Sequence, residues 1–162
     1  MITIATDNDF DIIYQIINDS ASAYKGVIPA DRWQDPYMPK DELRVQIEQG
    51  VQFWKYTDQG DVLGVMGIQP LDGVTLIRHA YVRSAERGKG VGGILLEHLI
   101  KMTQTPILIG TWAQASWAIK FYEKHGFRLL GEQEKNQLLS KYWIIPERQK
   151  ETSVVLANNA WK

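Results

Sequence analysis

Two residue periodicities meet at one short glycine-rich turn in this chain, and that junction restricts the fold more than any other feature. Residues 51–57, 62–69 and 74–82 are rich in β-branched and aromatic side chains and read as strands. Asp58-Gln59-Gly60-Asp61 and Asp72-Gly73 separate them, turns short enough to make the three strands antiparallel neighbours. From Gly90 to about Met102 a helical period takes over, with Val91, Leu95, Leu99 and Met102 predicted as a buried stripe. Between strand and helix lies Arg87-Gly88-Lys89-Gly90-Val91-Gly92-Gly93.

The remaining segments extend this frame on both sides. Residues 2–5 are a short strand candidate, and Thr6 with Asp9 forms a variant capping box before a helix carrying Phe10, Ile13, Ile16 and Ile17. Residues 23–39 hold three prolines beside Tyr24, Trp33 and Tyr37, which predicts a structured loop or broken helix. A second helix over about 40–49 presents Leu43 and Ile47 and stops at Gly50. Downstream, 106–112 reads as a buried strand, 116–125 as a helix ended by Gly126, and 127–130 as a strand. Residues 135–142 suit a short helix, and 152–156 a strand that closes the sheet. This order predicts an α/β (α+β) fold: a mixed, mostly antiparallel central sheet of about six to seven strands flanked by helices. With no repeat or linker, residues 1–162 are expected to form a single domain.

Composition narrows the functional classes. A net charge of −1 provides no global positive field for nucleic acid or an anionic membrane, so neither is expected as a partner. The absence of cysteine removes disulfides, thiolate metal sites and a cysteine nucleophile together. Three histidines without paired ligand spacing predict no metal site. The first residues read as no signal peptide, and no apolar run approaches the ~18 residues of a membrane span. The expected location is cytoplasmic, as a monomer or homodimer.

The glycine turn predicts a phosphate site. Glycines at 88, 90, 92 and 93 let a ligand approach the backbone, and the first N–H groups of the following helix have no intrahelical acceptor. They also lie at the positive end of the helix dipole, and Arg83, Arg87 and Lys89 add charge nearby. The same glycines could instead form only a tight turn that packs helix on sheet. Gly88-Lys89-Gly90-Val91-Gly92-Gly93 also fits the dinucleotide pattern G-x-G-x-x-G, yet residues 106–113 contain no Asp or Glu to hold a ribose. A Walker A loop fails because Gly88-Lys89 is followed by Gly90 where Ser or Thr is needed.

Arg87-Gly88-Lys89-Gly90-Val91-Gly92 resembles the R/Q-x-x-G-x-G/A acyl-CoA motif of the GNAT superfamily of N-acyltransferases. Thirty residues on, Ala118-Ile119-Lys120-Phe121-Tyr122-Glu123-Lys124-His125-Gly126-Phe127 resembles that family's second hallmark. The resemblance covers residues 76–130. It implies a sheet splayed between its fourth and fifth strands, with acetyl-CoA as co-substrate in the opening and no metal. The pantetheine arm would pair with the backbone of Ala80, Tyr81 and Val82. The pyrophosphate would lie on Arg87, Gly88, Lys89, Gly90, Val91, Gly92 and Gly93. An Asn common in the family is replaced by Ala115, so its contact is missing or comes from Gln114 or Ser116.

The implied activity is transfer of an acetyl or other short acyl group to a primary amine of a small molecule or a protein, in a ternary complex. Tyr122 stands where the family places a general acid for the departing thiolate; packing alone is its other reading. His79 is the candidate base, and its neighbour Arg78 has opposite strand parity, so only one of the two is expected to face the substrate. The family carries a bulge nearby, so parity does not choose between them. Arg78 facing inward would favour a substrate carboxylate or phosphate. Tyr24, Trp33 and Trp112 are candidates for an aromatic acceptor pocket, against a reading as core and lid packing. The alternative is a non-catalytic acyl-CoA-binding or sensor module on the same fold.

Overall fold

The structure is a computed structural model that describes residues 1–162. Seven strands form one sheet in the order β1-β2-β3-β4-β5-β7-β6. They are β1 Ile2–Ile4, β2 Gln52–Asp58, β3 Asp61–Pro70, β4 Thr75–Val82, β5 Ile107–Trp112, β6 Arg128–Leu129 and β7 Ser153–Ala157. Every neighbouring pair is antiparallel except β4 and β5. The sheet is therefore mixed and mostly antiparallel, as the run of short turns predicts. The last strand does not close an edge, however. It enters between β5 and β6, and the two-residue β6 becomes the edge.

The helices are α1 Phe10–Ala21, α2 Lys40–Glu48, α3 Val91–Met102, α4 Ser116–Lys124, α5 Glu132–Tyr142 and α6 Glu147–Glu151. None is long and apolar enough to cross a membrane. The Thr6/Asp9 pair caps a 3-10 turn that runs into α1: Thr6 N–H donates to Asp9 Oδ2 at 2.8 Å. Lys55 Nζ donates to both Asp9 carboxylate oxygens at 2.9 Å, tying the start of α1 to β2. Residues 23–39 form a loop with two 3-10 turns, because prolines at 29, 36 and 39 interrupt a continuous helix.

Alternating strand residues divide the core between two faces of the sheet. On one face Ile13, Ile16, Ile17 and Leu43 pack on Phe53 and Val65. Leu138, Leu139 and Trp143 of the α5 region cover Leu76, Leu108 and Val155 on the same side. On the other face Val91, Leu95, Leu96 and Leu99 of α3 meet Met66, Ile68, Ile77 and Ile109. Leu96 takes the fourth buried position that the sequence pattern assigned to Met102, the last helical residue, which is exposed.

One irregularity positions the site. Gly67 pairs with Arg78 and Val65 with Tyr81, so Met66 alone opposes both His79 and Ala80. This β-bulge holds His79 at φ +56, an uncommon conformation for a residue with a side chain. A bulge bends its strand and breaks the alternation of side chains, and both effects reach the chemistry below.

Candidate active site

The pairing of β4 with β5 stops early. It covers Thr75↔Ile107, Leu76↔Leu108 and Ile77↔Ile109, and from Arg78 and Gly110 onward the strands diverge. A wedge opens between them, just where the bulge bends β4. A cavity of about 940 Å³ occupies the wedge and the α3–α4 side of it. A second cavity, of about 110 Å³, lies toward α5. Tyr24, Ile77, His79, Tyr81, Gly110 and Thr111 line both, so the wedge connects them.

The glycine turn forms the floor at one end of the large cavity. Gly88 and Gly90 have φ of +79 and +85, and Gly90 is the N-cap of α3. The first backbone bond of that helix runs from Ile94 N–H to Gly90 O at 3.1 Å, which leaves the Val91, Gly92 and Gly93 N–H groups without backbone acceptors. All three residues line the cavity. A side chain at Gly92 would project toward Phe121 and Val82.

The charges around the turn are distributed differently from the sequence expectation. Arg87 lines the cavity, with Nη2 donating to Ser20 O at 2.6 Å and so tethered to the end of α1. Lys89 does not line it. The left-handed glycines on either side turn Lys89 outward, and its Nζ pairs with Glu86 at 3.0 Å. Arg83 is also engaged elsewhere, its Nε donating to Val62 O at 2.6 Å. Gln114 and Ser116 line neither cavity, whereas Trp117 and Ala118 line the large one. No cluster of three or more His, Asp or Glu side chains is placed to hold a metal ion.

Tyr122 is buried on α4 and lines the large cavity, its ring edge-on to Phe121 at 5.2 Å. Burial, with Tyr24 nearby, pushes its phenol above the ordinary value, so it is a neutral hydrogen-bond donor. Tyr24 and Tyr81 lie near it, their ring centroids 6.3 Å apart, and Tyr37 packs on Tyr24 at 5.4 Å. Burial raises their pKa values as well. Trp112 Nε1 donates to Tyr37 Oη at 2.7 Å and lines the smaller cavity. Trp33 lines neither cavity. The preceding 3-10 turn, Ala30–Arg32, brings its ring against Tyr37 at 5.9 Å, behind the pocket wall.

His79 and Arg78 both line the smaller cavity, so the strand-parity expectation that only one would face it fails. The reason is the bulge, which turns His79 out of the alternation. His79 Nε2 is bonded to Gln46 Oε1. An amide oxygen only accepts, so Nε2 carries the proton and Nδ1 keeps its lone pair. Burial, then the charge of Arg78, lowers the His79 pKa to about 3. The imidazole is therefore neutral at physiological pH.

Sequence reasoning missed several lining residues. Gln46, which orients His79, has no local signal on its helix. Leu139, Ile145 and Gln149 form part of the far wall of the smaller cavity; Leu139 lies on the short helix expected over 135–142, and the other two lie beyond it. Gly110 did carry a signal, since an isolated glycine within a strand marks a close approach. A Cβ there would lie 3.3 Å from the Trp143 ring.

A family model for the acetyltransferase (GNAT) domain matches residues 49–129, half of the chain. The chain belongs to the GNAT acyltransferase family. A curated relative, N-acetylaspartate synthetase of Danio rerio, is 34% identical over 88 residues, 51% of this chain. The match spans 31% of that protein's length. Among solved structures, a GNAT-family acetyltransferase of Staphylococcus aureus Mu50 superposes with a TM-score of 0.73 at 17% identity, covering 99% of this chain and 98% of the other. The PaiA N-acetyltransferase of Thermoplasma acidophilum, solved in complex with coenzyme A, superposes at 0.69 with 16% identity and 98% coverage of both chains. These likenesses establish the GNAT fold, including its single parallel pair β4–β5.

Proposed function

We propose that residues 1–162 act as one domain that transfers an acetyl or short acyl group from acetyl-CoA to a primary amine held in the smaller cavity. The observation that carries this reading is the wedge itself. It joins a cavity edged by unpaired backbone N–H groups to a second, compact cavity through a gap lined by both strands. Backbone of Ala80, Tyr81 and Val82 faces the gap without a β5 partner and can pair with the pantetheine amides as an added strand would. Gly88, Gly90 and Val91 to Gly93, with Arg87, suit the pyrophosphate. A relative on this fold has been solved with coenzyme A bound, which agrees with that assignment.

In the transfer the amine nitrogen forms a C–N bond to the acyl carbon while the C–S bond breaks, the amine losing one proton and the sulfur gaining one. Tyr122 donates a hydrogen bond to the departing sulfur. Its raised pKa keeps the phenol protonated and makes it a stabiliser of the thiolate rather than a full proton donor. His79 at about 3 is poorly matched to take a proton from an ammonium of pKa ~10, a transfer uphill by roughly 10 kcal/mol. The amine therefore reacts as its free base, and His79 Nδ1 accepts a hydrogen bond from it or from a relaying water.

The test is amine-dependent release of CoA thiol, read with a disulfide reagent. The chain has no cysteine, so the protein adds no background. Acyl transfer should be seen with a panel of primary amines. Because His79 is already neutral above about pH 4, kcat/KM should rise with pH as the free-base fraction rises, tenfold per unit below the amine's own pKa. An inflection near 6.5 with a plateau above it would show an imidazole acting as base. Tight CoA binding with no turnover across the panel would favour a sensor module instead.

A further inference from the structure

The smaller cavity holds one feature that amine acylation does not require. Arg78 lies within the sheet, half-buried, and lines this cavity. Its only protein hydrogen bond is from Nη1 to Gln69 Oε1 at 3.2 Å, which leaves most of its five N–H donors unused. Gln69 is itself buried and fixed, its Nε2 donating to Gln49 O at 3.1 Å. The guanidinium is thus held in place without an ion-pair partner. The charge that acts on it is Glu42, exposed on α2 and outside both cavities.

The other lining groups are neutral. They are aromatic rings, aliphatic side chains, Thr111, Gln149, Ser153 and the uncharged His79. A desolvated cation in such a lining calls for an anion from the ligand. A single planar guanidinium, with no second cation in the lining, suits one carboxylate better than a dianionic phosphate. At about 110 Å³ the cavity is smaller than the ~150 Å³ void that holds a benzene, so the group that enters is compact.

We propose that the acceptor is an amino acid, an amine whose own carboxylate pairs with Arg78 while its nitrogen reaches the wedge. Arg78 is then the specificity-determining residue of the acceptor site, and Gln69 positions it. This inference rests on the acyltransferase reading above and adds the substrate class.

The experiment compares acceptors in matched pairs. Glycine, L-alanine, L-aspartate, L-glutamate, β-alanine and 4-aminobutanoate are each assayed against the corresponding carboxamide, with acetyl-CoA and the intact chain. At least one free acid should be acetylated with kcat/KM some 10- to 100-fold above its carboxamide, the range of a charge-assisted hydrogen bond. Arg78→Gln should erase that preference by lowering the acid's kcat/KM while the carboxamide's changes less than about threefold. Arg78→Lys should keep part of it, because a point charge replaces the fork. CoA binding by each variant checks that it folds, and the wild-type comparison with Arg78→Lys decides the matter should Arg78→Gln not fold. Equal use of acid and carboxamide, a preference that survives Arg78→Gln, or no acceptor in the panel while CoA still binds would each overturn the inference. Failure of the wild type to bind CoA would instead remove the acyltransferase reading beneath it.

Discussion

Tyr122→Phe is expected to lower kcat for acyl transfer by about 10²-fold, the lower range for loss of one positioned donor to a developing negative charge. KM for acetyl-CoA should stay within about threefold. The two effects separate because the ring and the hydroxyl do different work. The ring packs against Phe121 and Phe127 at 5.2 and 6.1 Å and helps seat α4 on the sheet, contacts that phenylalanine keeps. Tyr122 lines the large cavity, and in the proposed transfer its hydroxyl is the donor to a sulfur that becomes negative only as the C–S bond breaks. Thermal stability should be almost unchanged. Steady-state kinetics in acetyl-CoA and acceptor check this, and a variant with full kcat would remove Tyr122 from the chemistry.

Gly67→Ala should have the largest effect on stability. A Cβ at Gly67 would lie 2.9 Å from the Arg78 carbonyl oxygen and 2.9 Å from Val51 Cγ1, with Phe53 at 3.4 Å. The Arg78 oxygen belongs to the strand that carries the bulge, so it cannot retreat without moving Arg78 and His79. Overpacking of this kind costs about 1–3 kcal/mol, a fall in Tm of roughly 3–10 °C for a chain of this size. Activity should fall further than stability, because the displaced strand lines both cavities. Thermal unfolding of wild type and variant measures the first part. An unchanged Tm would mean that β3 and β4 separate at the bulge more easily than their pairing suggests.

Much of the frame was legible because short-range chemistry fixes it. Asp72-Gly73 and Asp58 to Asp61 set the hairpins, and Gly90 before an apolar-striped helix marked the start of α3, which lies against the large cavity. The bulge was not legible in the residues themselves, since nothing in Ile77-Arg78-His79-Ala80 requires a positive φ at His79. The bulge arises from how β3 and β4 meet around Gly67, and it undid the parity argument that separated Arg78 from His79. Long-range pairing hid the rest. Neither the insertion of β7 between β5 and β6 nor the approach of Trp143 to Gly110 follows from any local period. Side-chain direction is equally invisible locally: the Lys89 side chain pairs with Glu86, and the Trp33 ring packs on Tyr37, and neither residue lines a cavity.

The proposed transfer requires the large cavity to take an acyl-CoA. Isothermal titration of CoA into the intact chain measures that directly, with NAD as the competing ligand because the glycine turn also spells a dinucleotide pattern. One CoA should bind per chain, NAD should neither bind nor displace it, and Gly92→Leu, whose side chain would fill the space beside Phe121 and Val82, should lose binding by more than about tenfold. Binding of NAD in preference to CoA, or CoA affinity indifferent to Gly92→Leu, would contradict it.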